Sequence, residues 1–67
     1  MKYIVIELQM NEEGHLSTIT TEHASENEGW SKYHSILAVA ATSTIPKHSA
    51  ILSSEEGFVV ASKCFKH

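Results

Sequence analysis

The side chains best suited to chemistry in this chain are five histidines, His15, His23, His34, His48 and His67, and a single cysteine, Cys64. Imidazole carries protons near neutral pH and binds metals, and a thiolate is both a nucleophile and a soft ligand. Their spacing argues against a metal centre. No two histidines stand four apart, and neither Cys-x-x-Cys nor His-x-His occurs. Cys64 and His67 are three apart, a weak ligand spacing on its own. A nucleophilic Cys64–His pair is conceivable, although a strand cysteine more often serves as a small buried hydrophobe. The three glycines are isolated, so no phosphate-cradling loop is present, and the Glu-Glu pairs sit at turn tips where solvation explains them. The expectation is a protein with no catalytic residues, no metal and no cofactor, and a small enzyme or metalloprotein using Cys64 and histidines is the last of three readings.

Ser31-Lys32-Tyr33-His34 is the densest cluster with functional character. In one reading Lys32 and His34 meet a ligand or a subunit partner beside the aromatic surface of Trp30 and Tyr33. In the plainer reading Trp30 and Tyr33 belong to the core, Lys32 is solvated, and His34 lies at the boundary. His48 joins the cluster only if the chain folds back near it. Lys32, Tyr33, His34, His48 and Lys63 form the candidate ligand set: lysines and histidines for phosphates, the tyrosine for stacking.

Charge narrows the partners. Eight glutamates, five lysines and no aspartate or arginine give a formal net charge of −3. Arginine is the usual fork for phosphate and guanine, and backbone neutralisation supplies much of nucleic-acid affinity. The composition therefore disfavours direct nucleic-acid binding.

These residues must be positioned by short elements. Lys2 to Met10 alternates, with Ile4, Ile6, Leu8 and Met10 on one face and Tyr3, Val5, Glu7 and Gln9 on the other. Asn11 to Gly14 forms a turn, and His15 to His23 returns as a threonine-rich strand suited to a sheet edge. Ser25-Glu26-Asn27-Glu28 matches a capping box, in which Glu28 reaches back to the Ser25 N–H. Trp30, Tyr33, Leu37, Ala40, Ala41 and Thr44 then share one side of a helix that Pro46 ends by Thr44 or Ile45. Lys47 to Ser53 and Phe58 to Phe65 flank the second turn, Ser54-Glu55-Glu56-Gly57. The last strand is apolar on both faces, which predicts a central place for it or cover on both sides. The expected fold is α+β and a single domain over residues 1–67: two β-hairpins flanking one helix (ββαββ), a four-stranded antiparallel sheet with the helix on one face.

One helix leaves the other sheet face bare. Tyr3, Val5, Ile19, Ile51 and part of the last strand are assigned to that open face, and Ile36 and Val39 fall outside the main helical stripe. Tyr3, Val5, Ile19, Ile36 and Val39 are the expected interface of a homo-oligomer, since a large bare apolar face is a liability in a monomer. The opening lacks a signal peptide's apolar stretch, and Tyr33 to Pro46 is too short and polar to span a bilayer, so the expectation is no membrane and a cytoplasmic location.

Ser31-Lys32-Tyr33-His34-Ser35-Ile36-Leu37-Ala38-Val39-Ala40-Ala41-Thr42-Ser43, with Pro46, His48 and Ala50, carries a resemblance. With Met1 to Gln9, the Glu56-Gly57 turn and Lys63-Cys64-Phe65-Lys66-His67, it resembles a family of small proteins from phages, conjugative elements and genomes of gut Firmicutes. The resemblance covers nearly the whole chain and is a pattern without an assigned mechanism. An acidic residue and an alanine precede the Ser-Lys-Tyr-His motif in that family, where Gly29 and Trp30 stand here. It implies a non-catalytic accessory protein in a bacterial host cell, countering host defence. Such a protein would act as a homo-oligomer that sequesters a nucleotide-like signal, or as an interaction module that inhibits a host protein through its exposed sheet face or edge.

Overall fold

A computed structural model describes residues 1–67, and the chain runs β1 (Tyr3–Met10), β2 (Leu16–His23), α1 (Glu26–Ala40), β3 (Lys47–Ser54) and β4 (Val59–Lys66). All neighbouring strands are antiparallel, in the order β2-β1-β3-β4. The α+β reading is therefore correct, with α1 packed over β1 and β3. The position of β4 differs from expectation. It is an edge strand, and its two-faced apolar character arises from exposed Phe58, Val59 and Val60 at one end and half-buried Ala61 and Phe65 along the rest.

Both hairpins turn through the same three residues, Glu-Glu-Gly. In the first, the Asn11 side-chain oxygen accepts from the N–H groups of Glu13 (3.0 Å) and His15 (2.9 Å). In the second, the Ser54 hydroxyl accepts from the Phe58 N–H at 3.3 Å. Gly14 and Gly57 close the loops at φ of 85° and 92°, a region that side chains with a Cβ rarely enter.

Helix α1 starts where its cap requires. Ser25 is extended, and its hydroxyl accepts from the Glu28 N–H at 3.3 Å. The Glu28 carboxylate reaches one residue further back than a capping box would, to the Ala24 N–H at 3.2 Å. The helix ends at Ala40, short of Thr44. Turn-like bonds from Thr42 to Val39 and from Ser43 to Ala40 close it, and the His67 imidazole donates to the Ala40 carbonyl at 2.8 Å.

The face that α1 buries is Gly29, Tyr33, Ile36 and Ala40, rotated from the stripe expected from Trp30 and Leu37. Gly29 gives the helix a close seat. A Cβ there would stand 2.8 Å from the Leu52 Cδ1 and 3.3 Å from the Tyr3 Cβ, so any other residue would force the Leu52 side chain or the helix to shift. Val5, Tyr33, Ile36, Ala50 and Leu52 form the core, with Tyr3, Trp30 and Leu37 packed against it.

Register then decides which sheet face is covered. Tyr3, Val5, Glu7 and Gln9 lie opposite Ser54, Leu52, Ala50 and His48, all beneath the helix. The interface expected from sequence needs correction here. Val5 is fully buried, Tyr3 is half-buried against the core, and Ile36 is 5% exposed. None of the three lies on an open surface, whereas Ile19 and Val39 remain exposed. The uncovered face belongs to Ile4, Ile6, Leu8 and Met10 with Ser49, Ile51 and Ser53.

Gly29→Ala should lower stability by about 1–3 kcal/mol through overpacking against Leu52, despite alanine's higher helix propensity. Urea denaturation checks this, with exposed Ser31→Ala near neutral. A stabilised Gly29→Ala variant would contradict the close approach.

Candidate functional site

The sheet's covered face carries one polar cluster. The His48 Nε2–H donates to the Glu7 Oε2 at 2.6 Å, and the Gln9 Nε2 donates to the same oxygen at 2.8 Å. Strand pairing produces the cluster, because Gln9 stands opposite His48 and Glu7 is two residues along on the same face. His48 is 1% exposed, and its Nδ1 is buried with no hydrogen-bond partner. Burial pushes the Glu7 carboxyl up. The hydrogen bonds from His48 and Gln9, with the charges of His48 and Lys32, outweigh that push and hold it below the ordinary carboxylate range.

This arrangement divides the candidate ligand set. Lys32 and His48 both act on Glu7, a residue the spacing of the sequence did not single out. Tyr33 is buried in the core, and burial pushes its phenol up. His34 is exposed, its ring stacked on Trp30 at 5.5 Å. Trp30 is in turn fixed by its indole N–H donating to Glu26 at 3.0 Å, and Tyr3 donates to the other oxygen of that carboxylate at 3.2 Å. Lys63 lies on β4 with its ammonium over the Phe65 ring. The five residues do not converge on one pocket within the chain. The sign that Glu7 matters was its parity with Val5, which puts a carboxylate on a covered face.

The remaining histidines are dispersed. His15 lies near Glu13 at the first turn, His23 bonds the Thr21 hydroxyl, and His67 closes the helix end. No group of three His, Cys, Asp or Glu side chains is placed to hold a metal ion. Cys64 is exposed, and its cross-strand neighbour is Ser49.

The open face of the sheet is the larger feature. Ile4, Ile6 and Leu8 of β1 and Ile51 of β3 form an apolar strip along the two central strands, and no element covers them. A shallow depression crosses this strip, lined by Leu8, Ile51, Ser49, Ser62 and Cys64, with Lys63 at its margin. Leu16 and Val60 extend the apolar character toward the two edges, at 58% and 42% exposed. Lys47 and Lys66, paired across β3 and β4, and Lys2 paired with Glu22 at 2.6 Å, supply a charged rim.

No helix is long and apolar enough to cross a membrane. No family model, curated protein or solved structure matches the chain.

Two outcomes follow for the buried cluster. Glu7→Leu leaves the fully buried His48 ring without its partner, and His48→Leu leaves the part-buried Glu7 with Gln9 alone, so either should cost up to about 3 kcal/mol, and the double variant should recover much of that loss. A double-mutant cycle in urea reads the recovery, and additive losses would contradict the pairing. Glu7's folded pKa is depressed, so its contribution is complete above the unfolded carboxylate value of about 4.3 and is lost as pH falls below it. Glu7→Gln should flatten the stability–pH curve in that acid window, and an unchanged slope would show that Glu7 does not contribute.

Proposed function

We propose that this chain is a non-catalytic protein-binding module whose working surface is the open face of its sheet. The observation that carries the proposal is the continuous apolar strip Ile4, Ile6, Leu8 and Ile51 on the two central strands, ringed by lysines and left bare by a single helix. Apolar patches rimmed by charge are the usual mark of a protein contact. The matching partner surface is itself apolar at its centre, with acidic groups placed to meet Lys47 and Lys66.

The resemblance to small proteins of phages and mobile elements suggests the partner's role. A host protein that restricts such elements is the target class, and the chain would inhibit it by occupying its surface stoichiometrically in the bacterial cytoplasm. Sequestration of a nucleotide-like signal by Lys32, Tyr33, His34, His48 and Lys63 is the weaker proposal. Tyr33 and His48 are already committed to the core and to Glu7, so that site would need groups from more than one subunit.

A photo-crosslinking residue at Leu8 or, separately, at helix position Ser35 distinguishes the two sides of the molecule in host cells. Leu8 should yield one discrete protein adduct and Ser35 none. Leu8→Thr with Ile51→Thr should abolish partner binding while circular dichroism stays unchanged. Adducts formed only from Ser35 would overturn the assignment of the open face.

A further inference from the structure

The two edges of the sheet are not equivalent. Edge strands expose unpaired backbone groups, and proteins guard them with lysine, proline or a bulge. β4 has two of these devices: Lys63 and Lys66, and a register shift that sets Val59 rather than Val60 opposite Ser53. β2 has none. It pairs with β1 in unbroken register over all eight residues, and Leu16 to Thr21 contains no charge and no proline. Leu16 to Thr20 are all exposed, and Ile19, on the helix side of the sheet, is 53% exposed.

We propose that β2 pairs with the β2 of a second copy, antiparallel, about a twofold axis at Ile19. The alternation of the ladder fixes this register. The Asn11 N–H donates to the His15 carbonyl at 3.0 Å, so the odd residues of β2 bond β1 and Leu16, Thr18, Thr20 and Glu22 turn their backbone groups outward. An axis at Ile19 sets Thr18 opposite Thr20 of the second copy and Leu16 opposite Glu22, using every outward group. An axis at Thr20 would draw on Ala24, whose N–H already serves Glu28. An odd register would turn one copy over and set its helix against the other's open face.

No like charges oppose one another in this register, since the strand's one carboxylate, Glu22, faces Leu16. The two Ile19 side chains form a non-hydrogen-bonded pair, the closest cross-strand contact, so each exposed isoleucine gains an apolar partner. Both helices fall on one side of an eight-stranded sheet. The two bare faces join on the other, doubling the docking surface. The pairing does not depend on what occupies that surface.

Site-specific crosslinking of the full chain tests the register. With Cys64→Ser as background, Ile19→Cys should form a disulfide-linked dimer under mild oxidation. Ser17→Cys should not, because two Ser17 positions would lie about 13 Å apart, beyond disulfide reach. Sedimentation should show a concentration-dependent dimer of the native chain, and Ile19→Lys should weaken it about tenfold or more while circular dichroism is retained. A native chain that is monomeric throughout, equal crosslinking at both positions, or a dimer indifferent to Ile19→Lys would each overturn the proposal. A dimer joined through β4 or by stacking of the open faces would give that last result.

Discussion

A single helix of 15 residues, about 22 Å long, covers four antiparallel strands from one side only. That asymmetry organises the rest of the molecule. Only nine residues are buried, so the core is near the lower limit for a stable domain. The close seat of α1 on β1 and β3 compensates in part, and Gly29 allows it by bringing helix backbone down onto Leu52 and Tyr3. Every side chain on the opposite face is left to meet solvent or a partner. Apolar residues there do not contribute to the core, yet they recur along β1 and meet Ile51 of β3.

The buried Glu7–His48 pair fits a structural role better than a ligand site. A carboxylate and an imidazole placed under a helix need each other, and Gln9 and Lys32 add to the same balance. Of the five imidazoles, His48 is held by Glu7, His67 by the helix end, His23 by Thr21 and His34 against Trp30, while the Cys64 thiol is exposed. The accessible surface otherwise carries backbone edges, aliphatic side chains, lysines and most of the glutamates.

Local signals in the sequence carried most of the fold. The two Glu-Glu-Gly loops announced both hairpins, and Ser25 marked the helix start, because turns and caps are determined by a few adjacent residues. The choice of covered face was not legible. β1 is apolar on both sides, with Tyr3 and Val5 on one and Ile4, Ile6 and Leu8 on the other, so periodicity alone could not rank them. What decided it was the approach of Gly29 to Leu52, a contact between residues far apart in sequence. The same limit applies to the site. Glu7 and His48 are separated by 41 positions, and strand order, which put β4 at an edge, brought them together. Ile19 and Val39 could be read as exposed because neither depends on such a distant contact.

The most direct measurement follows the methyl groups of the two faces at once. Isoleucine- and leucine-methyl NMR spectra of the labelled protein, taken in buffer and in extract of its native host cell, would compare Ile4, Ile6, Leu8 and Ile51 with buried Ile36 and Leu52. An open sheet face that docks a partner predicts shifts and broadening of the first four, with Ile36 and Leu52 keeping their positions. Signals from the four that stay as sharp in extract as in buffer, while Val39 or Leu37 on the helix responds in a matched valine–leucine sample, would contradict the assignment of the open face as the working surface.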